Sequence, residues 1–194
     1  MSTKSESTRT LIIQSACRLF LDKGYSATSM RDIVAASGVT MGGIYNHFSG
    51  KEEIFDLVFQ ENHPFRRVLP SMMQAQGDSL ELFVHDIARR MIAALGDSPD
   101  VLKLMFIEIV EFQGRHFTAS FAAGVPEVME LVGRFMPFET QLRPIPPFTL
   151  ARAFIGLFFS YFITDIFLPR QFVNGNQDFE QFVNIYLHGV LEQK

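Results

Sequence analysis

Apolar side chains in the first third of the chain recur every three or four residues, which is the period of an α-helix. Residues 7–23 carry one continuous apolar stripe, and Gly24 follows it as a natural helix end. A later stripe starts after Ser49, which we expect to cap a helix, and Pro64 is expected to end or kink that helix. The pattern therefore predicts one helix on each side of a short intervening segment.

That intervening segment, residues 28–51, predicts two short helices separated by a glycine turn. Ser29, followed three residues later by an aspartate, resembles a capping box at the start of the first helix. Gly38 stands where the chain must turn, since glycine adopts positive φ without steric cost. Thr40 is a good N-cap for the next helix, which is predicted to extend to residue 48. Two helices joined by a short turn with a glycine are the signature of a DNA-binding helix-turn-helix.

The rest of the chain also predicts helices, because no stretch alternates apolar and polar residues between turn residues as a strand would. The predicted helices cover residues 80–95, 100–113, 119–136, 148–168 and 178–192, and the proline-containing residues 137–147 are predicted to form a loop. With 194 residues the chain is long enough for two domains. We therefore predict an all-α protein with a helix-turn-helix domain at residues 1–50 and a larger helical domain at residues 51–194.

The net charge of −4 is unusual for a nucleic-acid binder, but the charges are unevenly distributed. Residues 1–51 hold six lysine and arginine residues against three acidic ones, whereas residues 52–194 hold 11 against 18. The basic excess coincides with the helix-turn-helix, which suggests that this end of the protein faces phosphates. Because the excess is small, we expect modest non-specific affinity for DNA.

The composition indicates a cytoplasmic protein. Cys17 is the single cysteine, so no internal disulfide can form, and the polar N-terminus lacks the apolar core of a secretory signal. Residues 148–168 are very apolar, yet only 12 uncharged residues separate Arg152 from Asp165. A membrane span needs about 20 mostly apolar residues. We expect this segment to be a buried core or interface helix and predict no membrane association.

A specific set of residues marks the part of the chain between residues 9 and 55. Its members are Ile12, Ile13, Ala16, Leu19, Phe20, Lys23, Gly24, Tyr25, Thr28, Ile33, Gly38, Val39, Thr40, Ile44, Tyr45, His47, Phe48, Lys51, Glu52 and Glu53. In these residues the chain resembles the TetR-type family of bacterial transcriptional repressors. Beyond residue 60 the resemblance is general. Met41 departs from the family pattern, which frequently has a lysine or arginine at this position.

The resemblance implies an all-α homodimer. Its three N-terminal helices bind DNA, and its C-terminal helices both dimerise and enclose a small-molecule pocket. Ligand binding typically weakens DNA binding in such proteins. The expected function is that of a ligand-responsive DNA-binding transcriptional regulator, and in particular a repressor on a palindromic operator. An activator, and a constitutive or protein-controlled regulator, remain alternatives.

The third predicted helix supplies most residues expected to contact DNA. Its N-terminal turn, the part that points at base edges, holds Thr40, Met41, Gly42 and Gly43, and its exposed side holds the polar-tipped rings of Tyr45 and His47. The glycine pair lowers helix propensity by about 1 kcal/mol per residue, which indicates close approach to DNA or, alternatively, an adaptation of the turn. Core packing is the alternative for Tyr45. Thr28, Ser29 and Lys51 are placed to donate to phosphates.

Most phenylalanines lie in the larger, C-terminal part of the chain: 17 of the 21 follow residue 60. Bulky rings leave gaps that a small apolar or aromatic ligand can fill, although most such rings are core residues. The candidate ligand-binding wall consists of Met105, Glu108, Phe112, Phe121, Phe158 and Tyr161. Glu108 and Glu111 interrupt an apolar pattern, and one of the two would face a cavity and select a polar or cationic group on the ligand. A solvated face or a salt bridge with Arg115 is the alternative for this carboxylate.

Residues 148–168 carry a stripe of small side chains beside a bulky one. The small stripe consists of Thr149, Ala153, Gly156, Ser160 and Thr164. Small residues let helix backbones approach closely, so we expect the last two helices to form a four-helix interface in a homodimer. Packing of both stripes within one subunit is the alternative.

An enzyme is the main alternative from another functional class. The five histidines are widely scattered, and no pair shows the spacing of metal ligands. Neither a nucleophile motif, nor a phosphate loop, nor a dinucleotide fingerprint is present. We therefore expect no catalytic activity, no metal and no cofactor.

Overall fold

The computed structural model describes residues 4–95, 100–169, 171 and 176–191, which are predominantly helical. The α-helices are α1 (Lys4–Lys23), α2 (Met30–Ser37), α3 (Met41–Tyr45), α4 (Lys51–Asn62), α5 (Pro64–Met72), α6 (Leu80–Leu95), α7 (Asp100–Phe112), α8 (Arg115–Ala123), α9 (Val125–Gly133), α10 (Pro147–Phe167) and α11 (Asn176–Val190), with a 3₁₀ helix at Met136–Gln141. Within the described residues the β-structure is limited to an isolated antiparallel bridge between Leu142 and Leu191. The predicted all-α class is confirmed.

Several helix boundaries differ from the predicted ones. The sequence pattern does not predict α5, which begins at Pro64. Proline is tolerated in the first turn of a helix, because its missing N–H would have no intrahelical partner there. The helical segment predicted over 119–136, with Gly124 and Pro126 as interruptions, is two helices, α8 and α9, separated at Gly124. Part of the loop predicted over 137–147 is 3₁₀ helix.

The predicted cap of α4 is wrong. Gly50 is the N-cap residue, and because glycine has no side chain it cannot cap the helix with a side-chain hydrogen bond. Ser49 instead donates through its backbone N–H and its hydroxyl to one carboxylate oxygen of Glu53, at 2.7 and 2.8 Å. These two hydrogen bonds from Ser49 hold the pKa of Glu53 below its ordinary value. A carboxylate in the first turn thus orders the chain before α4, in place of a serine cap.

The chain divides into two compact units, each with its own packing. The first unit consists of Met1–Arg67 and Leu95–Val125, and the second of Val68–Ala94 and Pro126–Lys194. α4 belongs to the first unit because it packs on α1, α7 and α8. This division by packing does not coincide with the functional division after residue 50, which stays a prediction.

An aromatic cluster joins α1, α4 and α7 inside the first unit. Phe55 is fully buried, and its ring centroid lies 5.5 Å from that of Phe20 and 4.7 Å from that of Phe112. Tyr25, in the loop after α1, lies 5.4 Å from Phe55 and 4.7 Å from Phe112. Aromatic pairs contribute about 0.5–1.5 kcal/mol each beyond the area that they bury. The cluster therefore holds the loop that leads into α2 against α4 and α7.

α10 and α11 pack against each other in the second unit. The rings of Phe158 and Tyr161 each lie 5.0 Å from that of Phe179. The hydroxyl of Tyr186 donates to the carbonyl oxygen of Leu150 at 3.0 Å, and burial raises the pKa of Tyr186 to about 12. Part of the bulky face of α10 is thus covered by α11.

Much of α10 is nevertheless exposed within the chain. Of the segment Pro147–Thr164, 11% is buried, and by length and composition alone this segment is apolar enough to cross a membrane. The exposed apolar side chains of α10, α11 and the adjoining turn include Phe148, Ile155, Phe167, Leu168 and Ile185. The expectation of a buried core helix is therefore wrong for the chain by itself. An interface helix stays a prediction.

Candidate nucleic-acid interface

A capping box between Ser29 and Asp32 fixes the start of α2. The Ser29 hydroxyl accepts a hydrogen bond from the Asp32 N–H at 3.2 Å, and the Asp32 carboxylate accepts one from the Ser29 N–H at 2.7 Å. The hydroxyl and the N–H of Ser29 hold the pKa of Asp32 well below its ordinary value, with a further contribution from Lys23 at 3.0 Å. The predicted capping box is confirmed. Ser29 is exposed at this helix start, where we predict a phosphate contact.

Gly38 and Thr40 set the turn between α2 and α3. Gly38 has a φ of 70°, and its N–H donates to the Val34 carbonyl oxygen at 3.0 Å. This left-handed conformation favours glycine because it lacks a Cβ. Thr40 is the N-cap of α3, and its hydroxyl accepts a hydrogen bond from the Gly43 N–H at 3.0 Å. Both predicted turn features are confirmed, and they determine where α3 begins.

α3 buries one side and exposes the other. Ile44 is fully buried and Phe48, three residues beyond the helix, is 2% exposed, so both residues anchor α3 on the first unit. On the outer side Met41 is 38% exposed and Tyr45 is 54% exposed. Core packing, the alternative for Tyr45, is therefore wrong. α3 itself is shorter than predicted and ends at Tyr45.

The glycine pair lies between the two exposed side chains. A Cβ on Gly42 would meet no described atom within 4 Å, whereas a Cβ on Gly43 would lie 3.1 Å from the Thr40 hydroxyl oxygen. Internal packing therefore does not require a glycine at position 42. Its missing side chain leaves the surface between Met41 and Tyr45 open to close approach from outside.

Two polar residues, Asn46 and His47, come directly after α3 in the chain. His47 is half-buried, with its ring 6.3 Å from that of Phe48. Asn46 is the exposed C-cap of α3, and it is not among the residues predicted to contact DNA. Its position directly after Tyr45, at the end of a short exposed helix, is the signal that identifies it.

Thr28 is not available for the predicted phosphate contact. Its side chain is 1% exposed, and its hydroxyl donates to the Gly24 carbonyl oxygen at 2.8 Å. This hydrogen bond closes the loop between α1 and α2. The structure therefore does not support a Thr28 hydroxyl that reaches DNA.

The ammonium group of Lys51 is directed at the same loop. Its Nζ donates to the carbonyl oxygens of Tyr25 and Thr28, each at 2.8 Å, and lies 4.0 Å from the centroid of the Tyr25 ring. Burial lowers the pKa of Lys51, against the opposing effect of Glu111. An ammonium group has three N–H donors, and the two carbonyls occupy two of them. Lys51 clamps the loop, and its contact with phosphate stays a prediction.

Glu108, a predicted ligand-binding residue, is instead committed to a buried pair. Its side chain is 1% exposed, and its carboxylate lies 2.7 Å from Nδ1 of His116. The same carboxylate accepts hydrogen bonds from the backbone N–H groups of His116 and Phe117 at 2.7 and 3.4 Å. It thereby gives an acceptor to two N–H groups of the first turn of α8 that have no partner within the helix. A solvated face and a salt bridge with Arg115 are both wrong, since Arg115 pairs with Glu52 at 2.8 Å.

Two other predicted ligand-binding residues are buried in the first unit. Met105 is 8% exposed and Phe112, a member of the aromatic cluster, is 7% exposed. The side chain of Phe121 lies outside the described part of the structure. Within the described residues no group of three or more histidine, cysteine or acidic side chains is arranged to hold a metal ion.

The remaining predicted ligand-binding residues, Phe158 and Tyr161, are 4% and 9% exposed and pack within the second unit. Two open depressions of about 410 and 300 Å³ also lie in that unit. They are lined by Gln76, Gly77, Asp78, Leu82, Phe83, Asp86, Arg89, Arg90, Arg134, Pro137 and Phe138. None of the predicted ligand-binding residues is among them, and the ligand-binding wall stays a prediction.

Comparison with known proteins places most of this interface in one sequence family. The family described as "Bacterial regulatory proteins, tetR family" matches residues 12–58. The HTH-type transcriptional regulator AcrR of Shigella flexneri is 40% identical over 57 residues, which are 29% of this chain and 26% of that protein. The HTH-type transcriptional regulator Mb3439c of Mycobacterium bovis is 33% identical over 105 residues, which are 54% of this chain and 55% of that protein. The chain thus covers less than two thirds of the length of each relative.

The fold comparison extends over the whole chain. NalD of Pseudomonas aeruginosa, described as the secondary repressor of the MexAB-OprM multidrug efflux pump, has a TM-score of 0.68 at 25% identity. That match covers 98% of this chain and 100% of NalD. Together with the capped helices and the exposed outer side of α3, these similarities show a TetR-type helix-turn-helix within residues 12–58, in a chain that shares its fold with a TetR-type structural neighbour.

Proposed function

We propose that the protein is a DNA-binding transcriptional regulator, and specifically a repressor that binds a palindromic operator as a homodimer. The observation that carries this proposal is the outer side of α3, where Met41 and Tyr45 are exposed while Ile44 anchors the helix from behind. In a helix-turn-helix protein this side of the second helix enters the major groove. The description of NalD as a repressor supports repression rather than activation.

The phosphate contacts of the proposed complex would come from residues around α3. Arg31 on α2 is exposed, and Ser29 is exposed at the start of that helix. The guanidinium group of Arg9 on α1 lies 5.5 Å from the centroid of the Phe48 ring, directly beyond α3. Phosphate contacts fix the orientation of a protein on the duplex, whereas base contacts select the sequence. Because one copy of the protein offers few cations for phosphate contacts, we expect two copies to bind one operator.

The second copy would pack on α10 and α11. The exposed residues of the small stripe on α10 are Thr149, Ala153, Gly156 and Ser160. They lie among the exposed apolar side chains of the same two helices, and a large exposed apolar surface typically marks an interaction site. A twofold pair of helix-turn-helix units fits a palindromic operator, because the symmetry of the protein then matches that of the DNA. The proposed regulator works in the cytoplasm, together with its operator.

A small apolar or aromatic effector would act through the aromatic cluster. The ring of Phe112 contacts Tyr25 at a centroid distance of 4.7 Å, and the carbonyl of Tyr25 is held by Lys51. A ligand that displaced Phe112 would therefore disturb the loop that leads into α2. Such a ligand would release the operator only if it bound the displaced conformation more tightly than the DNA-binding one.

Selection of bound sequences from a random duplex pool, at a stated salt concentration, tests DNA binding. We expect a palindrome whose half-site centres lie about 34–36 Å apart, or a multiple of that distance. Tyr45→Ala should weaken binding to the selected palindrome by at least about tenfold, which corresponds to the loss of one base-edge contact. Met129→Ala, a change at an exposed residue of α9, should leave the affinity unchanged. Enrichment of no sequence, or equal losses in both variants, contradicts the proposal.

Thermal unfolding in the presence of pooled apolar and aromatic compounds tests the effector. A ligand that binds the folded protein raises its Tm. We expect an active compound to raise the Tm of the free protein and to lower its affinity for the selected operator. A compound that raises the Tm without lowering operator affinity contradicts the effector proposal, and no response to any compound favours a constitutive or protein-controlled regulator.

A further inference from the structure

The segment that contains α3 carries no formal charge. No lysine, arginine, aspartate or glutamate lies between Asp32 and Lys51. The exposed residues of α3 and its two caps are Thr40, Met41, Gly42, Tyr45 and Asn46. The groove-facing surface of this protein therefore consists of a thioether, a phenol, a hydroxyl, an amide and bare backbone.

These groups match one class of base pair. Guanine is most often read by arginine or lysine at O6 and N7, and the amino group of cytosine by a carboxylate, and α3 offers neither. An asparagine amide fits the N6 and N7 atoms of adenine, and an apolar side chain fits the C5-methyl group of thymine. The chemistry of the exposed surface thus favours A·T pairs.

Met41 and Tyr45 are placed to act together. Residues four positions apart lie on the same face of a helix, about 6 Å apart at their Cβ atoms. Both side chains are substantially exposed, at 38% and 54%. Gly42 places no side chain beside them, and a Cβ there would meet open space. The two side chains therefore form an apolar strip that a methyl group on the floor of the major groove can contact.

We propose that Met41 and Tyr45 read thymine C5-methyl groups, so that each operator half-site has A·T pairs beneath α3. This inference rests on the proposed function and adds the base composition that the protein recognises. Asn46, at the end of the same helix, contributes an amide for adenine. The cations Arg9 and Arg31 lie outside α3, on α1 and α2, and serve affinity rather than sequence selection.

Removal of individual methyl groups from the operator tests the inference. Once the palindrome is selected, each thymine in a half-site is replaced by deoxyuridine, which lacks only the C5-methyl group. We expect affinity to fall about fourfold for each contacted methyl, since the burial of one such group is worth about that factor. Replacement of thymines outside the half-sites should leave the affinity unchanged.

Variants of the protein assign the methyl contact to a side chain. Met41→Ala should bind thymine and uracil operators equally at one position of each half-site, and Tyr45→Ala should do so at a neighbouring position. Met41→Leu, which keeps an apolar side chain, should retain the preference for thymine. Met129→Ala should retain the full preference at every position. Because each result is a ratio of two affinities of one variant, a general loss of stability does not imitate it.

The outcomes separate this inference from the proposed function. A selected palindrome with G·C pairs beneath α3, or equal affinity of the unaltered protein for thymine and uracil operators, overturns the inference and leaves the regulator intact. A thymine preference that Met41→Ala and Tyr45→Ala both retain overturns it as well. Selection of no sequence overturns both.

Discussion

The Nδ1 atom of His116 lies 2.7 Å from a carboxylate oxygen of Glu108, whose side chain is 1% exposed. The turn between these residues contains two consecutive positive φ angles, 55° at Gln113 and 79° at Gly114. The turn brings the start of α8 back onto α7, where the Glu108 carboxylate also accepts a hydrogen bond from the His116 N–H. One buried carboxylate thus joins two helices of the first unit through a side chain and through the backbone.

Removal of the Glu108 carboxylate should destabilise the protein. Glu108→Ala leaves His116 and the start of α8 without their acceptor in a buried site. Loss of one member of such a pair lowers the free energy of unfolding by about 3 kcal/mol, which urea denaturation at neutral pH would measure. Glu127→Ala removes an exposed carboxylate of α9 and should change the free energy of unfolding by less than about 0.5 kcal/mol. Similar losses in the two variants would falsify the structural role of the pair.

His63 should make stability depend on pH near neutrality. Its side chain is 2% exposed, with its ring 5.2 Å from Phe59 and 5.0 Å from Phe117. Burial lowers the pKa of His63 below its ordinary value of 6.5, against the opposing effect of Glu108. The unfolded chain therefore takes up a proton at a higher pH than the folded one does. The resulting stability is complete above pH 6.5 and is lost as the pH falls below that value.

The free energy of unfolding of the unaltered protein and of His63→Phe, measured from about pH 8 to 5, checks this expectation. Phenylalanine keeps an aromatic ring but does not titrate. The unaltered protein should lose more stability than the variant over this range. Other titrating groups are shared by both proteins, so the difference between the two profiles isolates His63. Parallel profiles would contradict the assignment.

The capping box of α2 should contribute measurable stability. Ser29→Ala removes a hydroxyl that both caps α2 and donates to Asp32, and loss of such a cap lowers the free energy of unfolding by about 1 kcal/mol. Ser5→Ala changes an exposed serine of α1 and should have little effect. Chemical denaturation of both variants at neutral pH makes the comparison. A loss at Ser29 no larger than that at Ser5 contradicts a stabilising cap.

The same capping box should make the stability of the protein depend on pH in the acidic range. The hydrogen bonds from Ser29 and the nearby Lys23 depress the pKa of Asp32 from its ordinary value of 3.8. Asp32 therefore stabilises the folded state fully above its ordinary pKa, and this stabilisation is lost as the pH falls below that value. The difference in Tm between the unaltered protein and Asp32→Ala should be constant above about pH 5 and shrink below about pH 4. A difference that grows on acidification contradicts the assigned direction.

Features that depend on residues close in sequence could be predicted, and features that depend on tertiary packing could not. The capping box at Ser29 and the left-handed Gly38 each need only residues within four positions of one another. The exposure of Tyr45 followed from the helical spacing of Ile44 and Phe48. The pairing of Glu108 with His116 instead depends on the turn that folds α8 back onto α7, and no local pattern specifies it.

The polar contacts around the helix-turn-helix also depend on tertiary packing and could not be predicted from the sequence. The sequence position of Thr28, just before α2, predicts an exposed side chain. Its hydroxyl instead points inward and donates to the Gly24 carbonyl oxygen in the loop after α1. Lys51 is a surface residue by its sequence position, but the carbonyls of Tyr25 and Thr28 lie within reach of its Nζ. Both orientations depend on how α1 and α4 pack, which the spacing of apolar residues does not determine.

The two interpretations of Lys51 differ in their salt dependence. The contacts of its Nζ predict that Lys51→Ala destabilises the loop, by about 2 kcal/mol for two hydrogen bonds from a charged donor that is partly exposed. The plot of log affinity against log salt should then keep its slope. A phosphate contact predicts instead that the slope falls by about 0.9 for each operator half-site. Lys103→Ala, an exposed lysine of α7, controls for the change in net charge.

Gly42 offers a test in which protein stability and DNA binding change in opposite directions. A Cβ at this position meets no described atom within 4 Å, so alanine fits without strain. Alanine is favoured over glycine in a helix by about 1 kcal/mol, so Gly42→Ala should raise the Tm. The added methyl group would lie between Met41 and Tyr45, on the side proposed to approach the bases. Operator affinity should therefore fall while stability rises.

Gly43→Ala is the matched control for this test. Its Cβ would lie 3.1 Å from the Thr40 hydroxyl oxygen that caps α3, so this variant should gain less stability than Gly42→Ala, or lose some. Thermal unfolding and fluorescence anisotropy on the selected operator would compare the two variants. A Gly42→Ala protein that is more stable and binds the operator as tightly as before would contradict a close approach of DNA at position 42. Weaker binding by a more stable protein cannot come from unfolding, and it would place the contact at position 42 itself.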